Sequence, residues 1–145
     1  LHRVDRRQRQ MCKETVYRRL CSIQPEHMFN GHEVSSCQIL DSSYEDDFFA
    51  VFSCINGKRI GLASNGDYKE EFVRVFGIIK DEINTLVCVS RSVDTDGSVR
   101  QYIFHSLPQQ GFKVKFNLST FFCDEDDRIP MQSNISDLIV SFLTK

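Results

Sequence analysis

The chain has 145 residues, 41% of them hydrophobic, with 12 Phe, no Trp and a formal net charge of −2. That length supports one domain with a core of its own, and the absence of Trp with only 7 Gly and 3 Pro argues against a repeat array or a disordered tail. No window approaches the ~18 consecutive apolar residues of a membrane span, so no membrane insertion is expected.

The charge is unevenly spread. Residues 1–20 hold seven basic groups, Arg3, Arg6, Arg7, Arg9, Lys13, Arg18 and Arg19, against Asp5 and Glu14, whereas the remainder has 11 basic and 18 acidic residues. A basic arm on an acidic body follows. The opening Leu-His-Arg-Val-Asp-Arg-Arg has no apolar segment and is no signal peptide; beginning without Met, it reads as a fragment. The six cysteines read as reduced, packed thiols, because a domain this size needs no disulfide staples. An intracellular setting, cytoplasm or nucleus, is therefore expected, despite the sequons at Asn117 and Asn134.

In chain order, residues 4–21 are rich in Arg, Gln, Lys and Glu and predict a basic helix, with a thin apolar stripe of Val4, Met11, Val16 and Leu20. Pro25, Asn30 and Gly31 mark a linker, so residues 1–33 read as helix and linker and 34–145 as the main domain. Seven strands are expected at 34–40, 48–55, 58–63, 72–79, 85–93, 99–107 and 112–121. Asn56-Gly57 suits a two-residue hairpin, and Asp94-Thr95-Asp96-Gly97 suits a second. The last strand alternates cleanly, with Phe112, Val114, Phe116 and Leu118 on one side. Phe48-Phe49-Ala50-Val51-Phe52 is apolar on both sides and should be central or covered by a helix.

After the acidic loop 123–127 comes a helix with Asn134 as expected N-cap. Ile135, Leu138, Ile139, Phe142 and Leu143 make its docking face, so that Leu138→Glu should unfold the domain. The expected architecture is mainly β with flanking helices: a single antiparallel β-barrel or bent sheet of about seven strands, a C-terminal amphipathic helix and an N-terminal basic helix. Seven strands in meander order and one closing helix, over residues 34–143, resemble the pleckstrin-homology superfold in element order. That resemblance implies a binding module. Lipid-binding members carry basic residues on the first two strands and their loop; the corresponding segment here, Asp41 to Asp47, is acidic, so phosphoinositide binding is not expected.

Residue constellations for chemistry are weak. Cys12, Cys21, His27 and His32, separated by eight, five and four residues, superficially resemble a zinc finger, but the close Cys pair is missing and no metal or other cofactor is expected. Aligning Gly97 with a calcium-loop glycine puts Ile103 where a bidentate carboxylate is required. His105, on the Val99, Ile103 and Leu107 side, reads as a core or edge histidine, and no nucleophile motif occurs, so no enzyme is expected. Tyr44, Tyr68 and Tyr102 could form an aromatic pocket only if the fold groups them.

The expected function is a non-catalytic scaffold or adaptor module. It recognises protein segments through a sheet edge, with Val87, Val89 and Arg91 on the 85–93 strand, or beside the C-terminal helix at Ser141 and Lys145. Arg6, Arg7, Arg9, Arg18 and Arg19 form a second surface for an acidic partner or a second copy of the chain. The alternative is a nucleic-acid- or chromatin-associated small β-barrel, with the same arginines on phosphates.

Overall fold

In a computed structural model, residues 2–40, 46–65, 68–89, 97–113 and 125–145 are described, with backbone alone for 2–12 and 125–133. Their elements are α1 (His2–Ile23), β1 (His27–Phe29), β2 (His32–Val34), β3 (Phe49–Ile55), β4 (Lys58–Ala63), α2 (Lys69–Ile79), β5 (Thr85–Cys88), α3 (Val99–Gln101) and α4 (Glu125–Leu143).

The five strands form one mixed sheet in the order β2-β1-β3-β4-β5. The first three pairings are antiparallel, and β4 runs parallel to β5. A parallel neighbour needs a crossover between the two strands, which α2 supplies. The expected barrel of seven strands, and with it the pleckstrin-homology-like meander, is therefore corrected to an open sheet between helices.

β3 explains the layering. Phe48, Ala50 and Phe52 join Ile60 and Leu62 of β4 in a core with Val16, Tyr17 and Leu20 of α1 and Leu143 of α4. Phe49 and Val51 face the other way, into a second core with Phe72, Val75, Phe76 and Ile79 of α2 and with Val99 and Leu107. The strand that reads as apolar on both sides is central and covered on both sides, as expected. Gly61 makes the close approach of α2 possible: a Cβ there would lie 3.0 Å from Ile83 Cδ1 and 3.1 Å from Ile79 Cδ1.

Two expected strands are helical. Residues 72–79 belong to α2, because Phe72, Val75, Phe76 and Ile79 fall at the i, i+3, i+4, i+7 spacing of one helix face, with Glu70 and Glu71 in the first turn favouring its positive end. Residues 99–107 start with α3, capped by the Ser98 hydroxyl accepting the Gln101 N–H at 3.1 Å, and continue in a π-helical turn, Tyr102–Ser106. The expected hairpin between 85–93 and 99–107 is thus excluded, although Asp94 to Asp96 themselves lie outside the described residues. Of the 34–40 strand only Val34 is in β2. The 112–121 strand lies mostly outside the described residues, and Phe112 and Lys113 are in no strand.

The turns are better anticipated. Asn56 and Gly57, at φ 51° and 77°, close the β3–β4 hairpin as expected. Asn30 and Gly31, expected as linker, instead form the same kind of turn between β1 and β2, at φ 50° and 86°. The C-terminal helix begins at Glu125, so Asn134 lies inside it and is not its cap. Its buried side carries Ser136 and Leu143, both wholly buried, with Ile139, Val140 and Phe142 half-buried; Leu138 is 62% exposed and is no docking residue.

Candidate functional site

β5 is an edge of the sheet, paired among the described residues with β4 alone. Asn84 donates its N–H to Arg59 O at 2.9 Å, so by strand alternation the main-chain groups of Thr85 and Val87 point away from β4. All four side chains of the strand are half-buried. The edge is held from α1 by the buried Lys13, whose ammonium donates to Ala63 O on β4 and to Val87 O at 3.0 Å. Two carbonyl dipoles at the carboxyl ends of neighbouring parallel strands thus receive one cation, a buried arrangement that makes up for its desolvation by charge-assisted bonds.

The residues expected to meet a partner come from different elements. Val87 packs against the core on the α1 and α4 side, and Val89, half-buried, follows the end of β5. Arg91 lies outside the described residues, and Arg6, Arg7 and Arg9 are on α1 where only the backbone is described. Arg18 is half-buried, and Arg19 forms an ion pair with Asp137 that ties α1 to α4. Ser141 and Lys145 are exposed on α4 and at the chain end, away from the β5 edge residues in sequence and in element.

The place where a thiol meets a base is deep in the core. His27 Nδ1 donates to Pro25 O at 2.7 Å, which leaves Nε2 to accept from the Tyr17 hydroxyl at 2.7 Å, with Cys21 Sγ 4.0 Å away. The Tyr17 oxygen in turn accepts the Gln38 N–H at 3.0 Å. Burial, with Cys37 adding to it, pushes the Cys21 thiol up to about 12, and burial lowers His27. Both shifts favour the neutral pair, the opposite of an activated thiolate–imidazolium couple. His105, expected at the core or an edge, is exposed on the π turn. Tyr68 is 69% exposed, Tyr102 packs edge-on against Phe72 at 5.9 Å, and Tyr44 lies outside the described residues. Among the described residues no group of three or more His, Cys, Asp or Glu converges as a metal site. None of the described helices is long and apolar enough to cross a membrane.

A cavity of about 410 Å³ opens at the other end of the sheet from the Asn56-Gly57 hairpin. It is lined by Asn30 and Gly31 of the β1–β2 turn, Asp47, Phe49 at the start of β3, Asn65 just past β4, and Glu71, Arg74 and Ile78 of α2. The carboxyl end of a strand that feeds a crossover helix is where open α/β sheets place their ligands. Nothing in the sequence singles these residues out, because they come from four separate segments. A scan of protein-family models, and searches of curated proteins and of solved structures, matched nothing to this chain, so its geometry carries the functional reading.

Proposed function

We propose that this chain is a non-catalytic protein-interaction module that takes up an extended segment of a partner along β5. The observation that supports this reading is the edge position of β5, where the outward main-chain groups of Thr85 and the Val87 N–H offer a ladder to an added strand, the Val87 carbonyl being held by Lys13. The apolar Leu86 and Val87 supply side-chain contact on the two sides of such a ladder, and Lys13 fixes the strand through the Val87 carbonyl.

The test is capture of partners by the full chain and by a Thr85→Pro variant. Proline removes an outward N–H at the first position of an edge strand, where the β4 ladder does not need it. Partners should be captured by the parent and lost by the variant, with slowed amide exchange at 85–88 in the complex. Equal capture by a folded variant would overturn the edge reading, and partners lost on nuclease treatment would move the assignment to the basic helix.

A further inference from the structure

Two of the thiols that are free among the described residues share one place in the fold. Cys21, buried in the last turn of α1, belongs to the core with Phe48 and Phe52 of β3, and the half-buried Cys37, on the segment after β2, packs against that same core. The other two are elsewhere: Cys54 is exposed on β3, and Cys88 packs against the core on the α2 side.

The Tyr17 hydroxyl brings the pair together. It accepts the Gln38 N–H at 3.0 Å, which pins the residue after Cys37 to α1. It also lies 2.7 Å from His27 Nε2, itself 4.0 Å from Cys21 Sγ. Cys21 follows Tyr17 by one helical turn and so shares its face of α1. The side chains of Cys21 and Cys37 interact there directly.

Their surroundings give the two thiols different parts. Cys37 Sγ donates to Ile39 O at 3.2 Å, at a half-buried position within reach of a small oxidant. Cys21 is shielded and kept neutral by burial, so its route to oxidation is a neighbouring sulfur. Burial also keeps His27 neutral, and its Nε2 is the base nearest the Cys21 thiol among the described contacts.

We infer that Cys21 and Cys37 are a redox modification site, joined as a disulfide by a peroxide and released by a dithiol. Cys37 is oxidised first: the O–O bond of the peroxide breaks, one oxygen becomes Cys37–SOH and the other leaves as water. The Cys21 sulfur then attacks the Cys37 sulfur. The S–S bond forms, the S–O bond breaks, and hydroxide leaves as water with the Cys21 proton, passed through His27 Nε2. Two thiols lose two electrons, one hydrogen peroxide gains them, and two waters form. The bond closes a loop that contains the β1–β2 hairpin and ties the end of α1 to the segment leaving it. This inference does not depend on the β5 edge, and the two can fail separately.

The experiment treats the reduced 145-residue chain with hydrogen peroxide, folded and in concentrated urea, blocks the remaining thiols by alkylation and cuts the chain after Glu26 and Glu33. Both cleavage points lie between the two cysteines, so a 21–37 link joins separate peptides and is read by mass. That pair should form at least tenfold faster in the folded chain than in urea, without links to Cys54 or Cys88, and dithiothreitol should undo it. Oxidation should raise the thermal midpoint by about 5 °C or more. In Cys37→Ser the Cys21 thiol should survive the same treatment, and in Cys21→Ser the Cys37 sulfenic acid should accumulate and be trapped by dimedone. Should Cys21→Ser not fold, the parent and Cys37→Ser decide. No 21–37 pair in the folded parent, a pair formed no faster than in urea, or equal oxidation of Cys21 in Cys37→Ser would overturn the site.

Discussion

The hydroxyl of Tyr17 stands between two groups that burial would otherwise leave without partners, the Nε2 of His27 and the N–H of Gln38. Its ring is wholly buried, edge-on to His27 at 5.3 Å and to Phe48 at 5.3 Å, so a Tyr17→Phe change keeps the shape and deletes the bonds. Leaving buried partners unsatisfied costs about 1–3 kcal/mol; the variant should show that loss in urea unfolding with an unchanged slope. An unchanged midpoint would mean that water replaces the hydroxyl. Gly61 sits at the opposite extreme, where the missing side chain is the function. A Gly61→Ala methyl would press on Ile79 and Ile83, so a destabilisation of about 1–3 kcal/mol is expected from overpacking, readable as a fall in thermal midpoint. Neither role is visible in the sequence. Tyr17 lies on a stretch that reads as a sparsely apolar, basic helix, and its partners come 10 and 21 positions later.

At the scale of elements, α4 is held by its inner side and by its end. Lys58, from β4, donates to Phe142 O at 2.9 Å and Leu143 O at 3.3 Å, and its ammonium lies 5.2 Å from the Phe142 ring centroid. A cation on the last carbonyls opposes the negative end of the helix dipole. Lys58→Met should therefore lower stability by about 1 kcal/mol, with earlier amide exchange in the last turn of α4. Leu143→Glu would bury an unpaired charge in the main core and should cost on the order of 4 kcal/mol or more, leaving little soluble folded protein. Leu138→Glu, on the exposed side, should stay within about 0.5 kcal/mol of the parent by thermal unfolding. The i, i+3, i+4, i+7, i+8 spacing from Ile135 puts these two leucines on one apolar face. The fold buries Ser136 instead, which rotates the inner face toward Val140. α2 was missed for a related reason: its Phe, Val and Ile suit strands as well as helices, and the i, i+3, i+4, i+7 spacing was the signal that separates the two.

At the scale of the whole molecule, the buried Tyr17, Cys21 and His27 make stability depend on pH from both sides. His27 is lowered from 6.5 by burial, so the unfolded chain binds the proton more readily than the folded one. Its contribution is complete above about pH 6.5 and is lost as pH falls through the lowered folded value. Cys21 is raised from 9.0 to about 12, so the unfolded chain releases its proton first, and stability declines as pH rises above 9. Thermal midpoints measured across pH should therefore form a plateau between these limits, and His27→Gln should flatten the acid side. A midpoint insensitive to pH as it falls below 6.5 would show that His27 is not buried as described.

The central β3, the β3–β4 hairpin at Asn56-Gly57 and the N-terminal helix were legible in the sequence, because each rests on local rules: two-sided hydrophobicity, turn conformation and helix-forming composition. Only the tertiary structure decided that the sheet is open and mixed. Whether an apolar run such as 72–79 becomes a strand or the crossover helix between β4 and β5 depends on which face it must bury, and against what. The same holds for the cavity, whose lining from residues 30 to 78 converges through the strand order and the docking of α2, and for Asn65, whose unpartnered oxygen is a property of its neighbours and not of its type.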